Sequence, residues 1–270
     1  MKVTKSLIKK AIYLKSKKMK IEEIAKTLGV SARTVQKYTV NFPHPNRKIL
    51  IPLPESARSL SKEKAEIIGY LCAEGCDFDT FPLYYEFDYR RNKTYKRLYK
   101  KSRVEFSNLN PTLQKRFQNI MFSVYNYKPK IDRIGNMKIY RTNIIKDLRS
   151  FTRFGSHKWN VPNAILNSLD NSIKSHFCRG YFDGDGTVDI NRKAVVADSV
   201  NEIALNKLGD LLKSMGINFK LKNYKTRNRI IISDIKNYYK FISFVHPEKR
   251  KKLEKIWIQM RRSPNQRISF

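Results

Sequence analysis

Two acidic residues stand directly before a glycine at the ends of matching stretches: Glu74 in IIGYLCAEG (Ile67–Gly75) and Asp185 in CRGYFDGDG (Cys178–Gly186). Small residues recur four apart in each, Gly69 and Ala73 in the first, Gly180 and Gly184 in the second. On a helix that spacing makes a smooth stripe, along which two backbones pack closely and bring their C-terminal ends together. Gly75 and Gly186 suit the left-handed position that stops a helix. A carboxylate at a helix C-terminus faces the negative end of the macrodipole, at a cost of roughly 0.3–1 kcal/mol. A second one beside it adds like-charge repulsion. Stability does not account for such a pair; a shared divalent cation does, and oxygen ligands of this kind suit Mg2+. Asp183 also lies in the second stretch, where the first has Cys72, and reads as a structural or capping carboxylate. Asp77 and Asp79 receive no role. The four histidines show no paired spacing, which argues against a histidine-metal centre.

The elements that must position these acids form an internal repeat. After the first motif come RVEFSNLNPTLQKRFQNIM, KIYRTNIIKDLRSF and FGSHK (Phe154–Lys158); after the second come AVVADSVNEIALNKLGDLL, RIIISDIKNYYKF and FVHPEK (Phe244–Lys249). Ser107 and Ser199, 92 apart, occupy matching places, and Lys158 and Lys249 lie 91 apart. Each copy reads helix–strand–strand–helix–strand–strand–helix, a mixed α/β half. Extra residues in the first copy, centred on Arg90 to Lys101, predict an extended hairpin dense in Arg, Lys and Tyr. In Phe219-Lys220-Leu221-Lys222 the alternation points apolar residues inward and Lys220 and Lys222 outward. Two basic sheet faces side by side make a curved cationic surface able to follow a DNA groove.

Ahead of the repeat, Leu7, Ile8, Ala11, Ile12 and Leu14 have helical spacing. Ile21, Ile24, Ala25 and Leu28 make a second helix ended by Gly29, and Ser31 caps a third carrying Ala32, Val35 and Tyr38. IEEIAKTLGVSARTVQKY resembles the helix-turn-helix family, which implies that Arg33, Thr34, Gln36 and Lys37, with Ser31, face a major groove. The first 48 residues hold 13 Lys/Arg against Glu22 and Glu23, which favours DNA contact over a packing module. The domains are expected at 1–42 (helix-turn-helix), 43–60 (a proline-bearing linker), 61–165 (first half) and 166–270 (second half).

The whole chain has 56 Lys+Arg against 23 Asp+Glu, a formal +33, with 15 Tyr and 15 Phe interleaved among the cations. Self-repulsion on that scale makes a polyanion the natural partner. The sequence has no apolar run long enough to span a membrane and no secretory leader, and Cys72, Cys76 and Cys178 lack zinc-like pairing. A cytoplasmic protein, or one of an organellar matrix, with reduced thiols is expected. There is no phosphate-cradling glycine loop and no Gly-x-Ser-x-Gly elbow.

The two motifs, with the trailing phrases FGSHKWNVPNAIL and HPEKRKKLE, resemble a single-chain, two-motif LAGLIDADG homing endonuclease over about Leu60 to Lys255. That resemblance implies an α+β (mixed α/β) fold in which two pseudo-symmetric αββαββα half-domains form a DNA-binding saddle. It implies a monomer that cuts both strands of a long specific site in double-stranded DNA across the minor groove, leaving short 3′ overhangs. Glu74 and Asp185 would hold Mg2+, with Mn2+ able to substitute, and Lys158 and Lys249 would stand near the scissile phosphates or make plain phosphate contacts. The family often has Asp at both motif ends, so Glu74 departs from the pattern and could make the two cuts unequal. Two further readings stay open: a non-cleaving transcription regulator on the same scaffold, and a maturase acting on intron RNA.

Overall fold

The computed structural model describes residues 5–17, 19–39, 52–88, 93–98, 100–242 and 247–261. The chain divides into two compact units, Met1–Ile51 and Pro52–Phe270. The first holds α1 (Lys5–Ser16), α2 (Ile21–Leu28) and α3 (Ala32–Tyr38) around Ala11, Ile24, Ala25 and Val35. Gly29 takes the left-handed conformation (φ 64°) that stops α2, and the Ser31 hydroxyl accepts from the Thr34 N–H at 3.2 Å to start α3. Arg33, Gln36 and Lys37 are exposed and Thr34 is half-buried. The linker expected at 43–60 falls in part on residues 40–51, outside the described residues.

The second unit begins with a 3-10 turn (Glu55–Ala57) and α4 (Lys62–Glu74), capped by the Ser61 hydroxyl. It continues through β1 (Gly75–Thr80), β2 (Leu83–Asp88), β3 (Lys93–Leu98), β4 (Lys101–Ser107), α5 (Pro111–Tyr125), β5 (Asn136–Ile139), α6 (Thr142–Phe151) and α7 (Asn163–Leu166). The second copy comprises α8 (Asn171–Gly184), β6 (Gly186–Asp189), β7 (Ala194–Ser199), α9 (Glu202–Ser214), β8 (Lys220–Asn223), β9 (Asn228–Ile232), α10 (Ile235–Ile242) and α11 (Pro247–Arg261). The fold is mixed α/β, with antiparallel sheets ordered β1-β4-β5 and β6-β7-β9-β8. The β2–β3 hairpin forms its own two-stranded sheet, in the place of the expected insertion; residues 89–92 and 99 of that stretch lie outside the described residues. Among the described residues no helix is long and apolar enough to cross a membrane.

The helices cover one face of each sheet. Val104, Phe106, Met137 and Ile139 from the first sheet, and Val195, Ala197, Ile230 and Ile232 from the second, enter one continuous core with α4 and α8. Helix α4 is buried on all sides from Lys64 to Cys72, and Ile67, Ile68, Tyr70 and Leu71 are fully buried. Its two buried charges are paired. Lys64 donates to Asp147 at 2.9 Å and to the Ala57 carbonyl at 2.7 Å, and Glu66 takes both arms of Arg116 at 2.8 and 2.7 Å. In β8, Lys220 and Lys222 are exposed while Phe219 and Leu221 pack against the core, as the alternation predicts.

Two expectations need correction. The first copy lacks the full strand that β8 supplies in the second, because Ile131 makes only an isolated bridge to Met137. Pro129 has no N–H to donate. Directly after Ile131 the Asp132 carboxylate accepts from the N–H groups of Ile134 (3.1 Å) and Asn136 (2.9 Å), turning the chain at once. The equivalence of Ser107 with Ser199 is also off by one. Gly75 pairs with Phe106 and Gly186 with Ala197, while Asn110 and Asn201 cap α5 and α9. Phe106 to Ala197 and Asn110 to Asn201 are both 91 positions, the offset of the two lysines. Ser107 therefore matches Asp198, and Asn108 matches Ser199.

Candidate metal centre and its two clefts

Helices α4 and α8 meet backbone to backbone. A Cβ built on Gly69 would strike the Phe177 carbonyl oxygen, and one on Gly180 would strike the Glu66 carbonyl oxygen and lie 2.8 Å from the Tyr70 nitrogen. Further along, a Cβ on Gly184 would lie 2.6 Å from the Ala73 Cβ and 3.0 Å from the Glu74 Cγ. The small-residue stripe thus sets the end of α8 against Glu74. Glu74 is the last residue of α4, and Asp185 is the C-cap of α8. Gly75 and Gly186 do not take the left-handed conformation that their place after an acid suggests. Gly75 is extended (φ −93°, ψ 150°), neither has a positive φ, and each opens a strand. Glycine is required there because a Cβ would run into the carbonyl oxygens of Leu71 and Phe182, one helical turn back.

The two acids sense each other. Asp185 keeps an exposed edge, yet burial against the cleft walls, followed by the neighbouring Glu74 charge, pushes its carboxyl up to about 7. Burial also raises Glu74, opposed by a hydrogen bond from the Asn108 amide at 3.1 Å and by the Lys249 charge. The Lys249 ammonium donates to the carbonyls of Phe182, Asp183 (3.0 Å) and Gly186. It satisfies carbonyls that a helix end leaves without partners and offsets the negative pole of α8. Burial lowers its pKa against the pull of Asp183, Asp185 and Glu74. Lys158 stands apart, exposed on the turn after Phe154 and outside the clefts at the helix ends.

Two clefts flank the helix pair. The larger, about 390 Å³, is lined by Glu74, Asp185, Asp198, Arg227, Ser156 and Trp159 among others. The smaller, about 270 Å³, is lined by Asn108, Asn110, Asp183, Gly184, Gly186 and Lys249 with Leu113. The 91-residue offset relates them: Asn108 and Asn110 edge one, Ser199 edges the other. Asn108, Asp198 and Arg227 were not singled out from sequence, since each reaches the centre through sheet register. Buried Asp183 lines the smaller cleft. Asp77 and Asp79 belong elsewhere: with Arg149, Arg153, Ser102 and Lys100 they tie β1 to α6, and hydrogen bonds from Ser102 and Lys100 hold Asp79 well below the usual carboxylate range.

Among the described residues no three His, Cys, Asp or Glu side chains gather into a metal cluster. The chemistry open to the centre is therefore that of two carboxylates, partly desolvated and mutually repelling, with the rest of a coordination shell left to water and ligand. Mg2+ accepts that kind of incomplete protein shell. A bound divalent cation would counter both the burial and the Glu74 repulsion that raise Asp185.

Fold and centre define an internally repeated, mixed α/β protein with two carboxylates at adjoining helix ends in one cleft. Residues 172–245, within the second copy, match the model of the LAGLIDADG-like domain family, the family that the two motifs resemble. Over 82 residues, 30% of the chain, it is 35% identical to elongation factor 2 of Methanopyrus kandleri, and the match spans 6% of that protein. Among solved structures it is similar to the homing endonuclease I-WcaI bound to its DNA recognition sequence (19% identity, 77% of this chain and 93% of that one, TM-score 0.48). It is also similar to I-DmoI in complex with DNA and Mn (14%, 69% and 97%, TM-score 0.46) and to full-length DUF199/WhiA from Thermatoga maritima (15%, 80% and 66%, TM-score 0.47). All three scores are low, and the likeness stops at general similarity of shape.

Proposed function

We propose that this protein is a metal-dependent, site-specific endonuclease acting on double-stranded DNA. The observation that carries the reading is the α4–α8 contact, whose glycines set two repelling carboxylates at one point beside sheets that present cations. Glu74 and Asp185 would hold the cation, Mg2+ or Mn2+, which when bound supplies Lewis acidity and a more acidic water. Asn108 orients Glu74, and Lys249 fixes the end of α8 so that Asp185 keeps its place. Lys158, exposed, is suited to a phosphate contact. Lys220 and Lys222 would line the DNA-facing sheet, and Arg33, Thr34, Gln36 and Lys37 of α3 would add contacts from the first unit. Adjacent helix ends put both cuts across one minor groove with short 3′ overhangs, made by a monomer whose half-domains span 61–165 and 166–270.

The test uses a duplex made by joining the sequences that flank the reading frame, incubated with the full chain and Mg2+. The wild type is expected to cut it, while Glu74→Gln and Asp185→Asn lose cutting and keep affinity in Ca2+ within about threefold. Binding without cutting by the wild type would favour a DNA-binding regulator instead. Preference for the corresponding intron RNA over duplex DNA would favour a maturase.

A further inference from the structure

We infer that Arg227 is the phosphate-contacting cation of the larger cleft and serves only one of the two DNA strands. The inference rests on the endonuclease reading and adds a catalytic residue to it. Three carboxylates line this cleft, Glu74, Asp185 and Asp198, and among the described residues Arg227 is the basic residue that lines it with them. A metal held by Glu74 and Asp185 leaves the Asp198 carboxylate facing the monoanionic phosphodiester, and the extra charge that develops on the non-bridging oxygens at the transition state favours a second cation there.

The neighbouring contacts show why Arg227 is available. Asp198 is already held by Arg229, whose Nε and Nη2 donate to its two oxygens at 2.5 and 2.7 Å. Arg227 stands farther off, its Nη1 3.4 Å from Asp198 Oδ2, with its side chain 52% exposed against 17% for Arg229. An ion pair this open holds its partner weakly. Its backbone is nonetheless fixed, because the Arg227 carbonyl accepts from the Tyr224 N–H at 2.8 Å and closes the β8–β9 turn. The side chain is therefore poised rather than locked. A planar guanidinium can reach two phosphate oxygens at once.

The restriction to one strand follows from the register. Asp198 pairs with Arg229 as Ser107 pairs with Asn136. The first half has no strand in the place of β8 among the described residues, and its turn from Ile131 to Met137 is shorter than that from Leu221 to Ile230, so the β8–β9 turn that carries Arg227 has no counterpart there. The pair Ser107 and Asn136 of the first half thus matches Asp198 and Arg229 of the second, without a cation in the place of Arg229. The smaller cleft has Lys249 instead, and that ammonium is spent on three backbone carbonyls.

In the hydrolysis a water oxygen bonds to phosphorus as the bond from phosphorus to the 3′ oxygen breaks. One water proton ends on the leaving oxygen, and the other stays on the new phosphate or passes to solvent. Arg227 keeps its protons and donates hydrogen bonds to the non-bridging oxygens, where charge accumulates.

The experiment follows each strand separately on the joined-flank duplex in Mg2+, with opposite 5′ ends labelled, comparing the wild type with Arg227→Gln. One strand's cutting rate should fall about tenfold or more and the other should change less than about twofold. Nicked circles should accumulate from a plasmid carrying the site, with the melting temperature unchanged. Equal slowing of both strands, or no slowing, overturns the inference while leaving the endonuclease reading intact. A wild type that cuts neither strand overturns both.

Discussion

Asp185 joins the site's electrostatics to the stability of the protein. Its carboxyl is raised from 3.8 to about 7, first by burial and then by Glu74, so the folded state holds that proton more tightly than the unfolded chain. Stability of the metal-free protein should therefore fall as pH rises between 3.8 and about 7. Asp185→Asn should make that fall shallower, and unfolding by denaturant at stepped pH in the presence of a chelator measures it. Identical profiles for the two proteins would contradict the assignment. At this scale the acids themselves were legible, because an acid before glycine at a helix end is unfavourable unless something binds it. Asn108 was not legible: its contact with Glu74 crosses 34 positions and depends on where β4 ends.

At the scale of elements, the α4–α8 crossing decides whether the two acids meet. Gly180 has no room for even one methyl group, since the obstacles are the Glu66 carbonyl and the Tyr70 nitrogen, both backbone atoms unable to swing aside. Gly180→Ala should destabilise the protein by about 2 kcal/mol or more and reduce cutting beyond what lost stability explains, since the helices must part. Thermal unfolding alongside the cleavage rate at a temperature well below the transition checks both. A variant with unaltered melting temperature would mean that the helices have slack. The spacing of four was readable as a packing stripe. The role of Gly75 and Gly186 was misread, because a glycine after an acid fits a left-handed cap as well as it fits a strand start crowded by the preceding turn.

The whole molecule carries a formal +33, and the exposed Lys220 and Lys222 share their sheet face with Arg229. DNA affinity should accordingly fall about a thousandfold or more between about 50 and 200 mM salt. A titration by fluorescence anisotropy measures this, and a flat dependence would rule out phosphate contacts as the main source of affinity. Replacing both Lys220 and Lys222 by Gln should flatten the log–log slope by about 2.

By itself the sequence determined the repeat, the acid-glycine helix ends, the small-residue stripes and the basic balance, because each follows from local spacing or simple composition. The tertiary structure alone decided the register that matches Ser107 to Asp198, the capping of α8 by Lys249 while Lys158 stays exposed, and the placing of Arg227 in one cleft on a β8–β9 turn that the first half lacks. These depend on which strand lies beside which and where each begins. A one-residue slip, invisible in a sequence pattern of similar phrases, exchanges the residues that face the core for those that face the site.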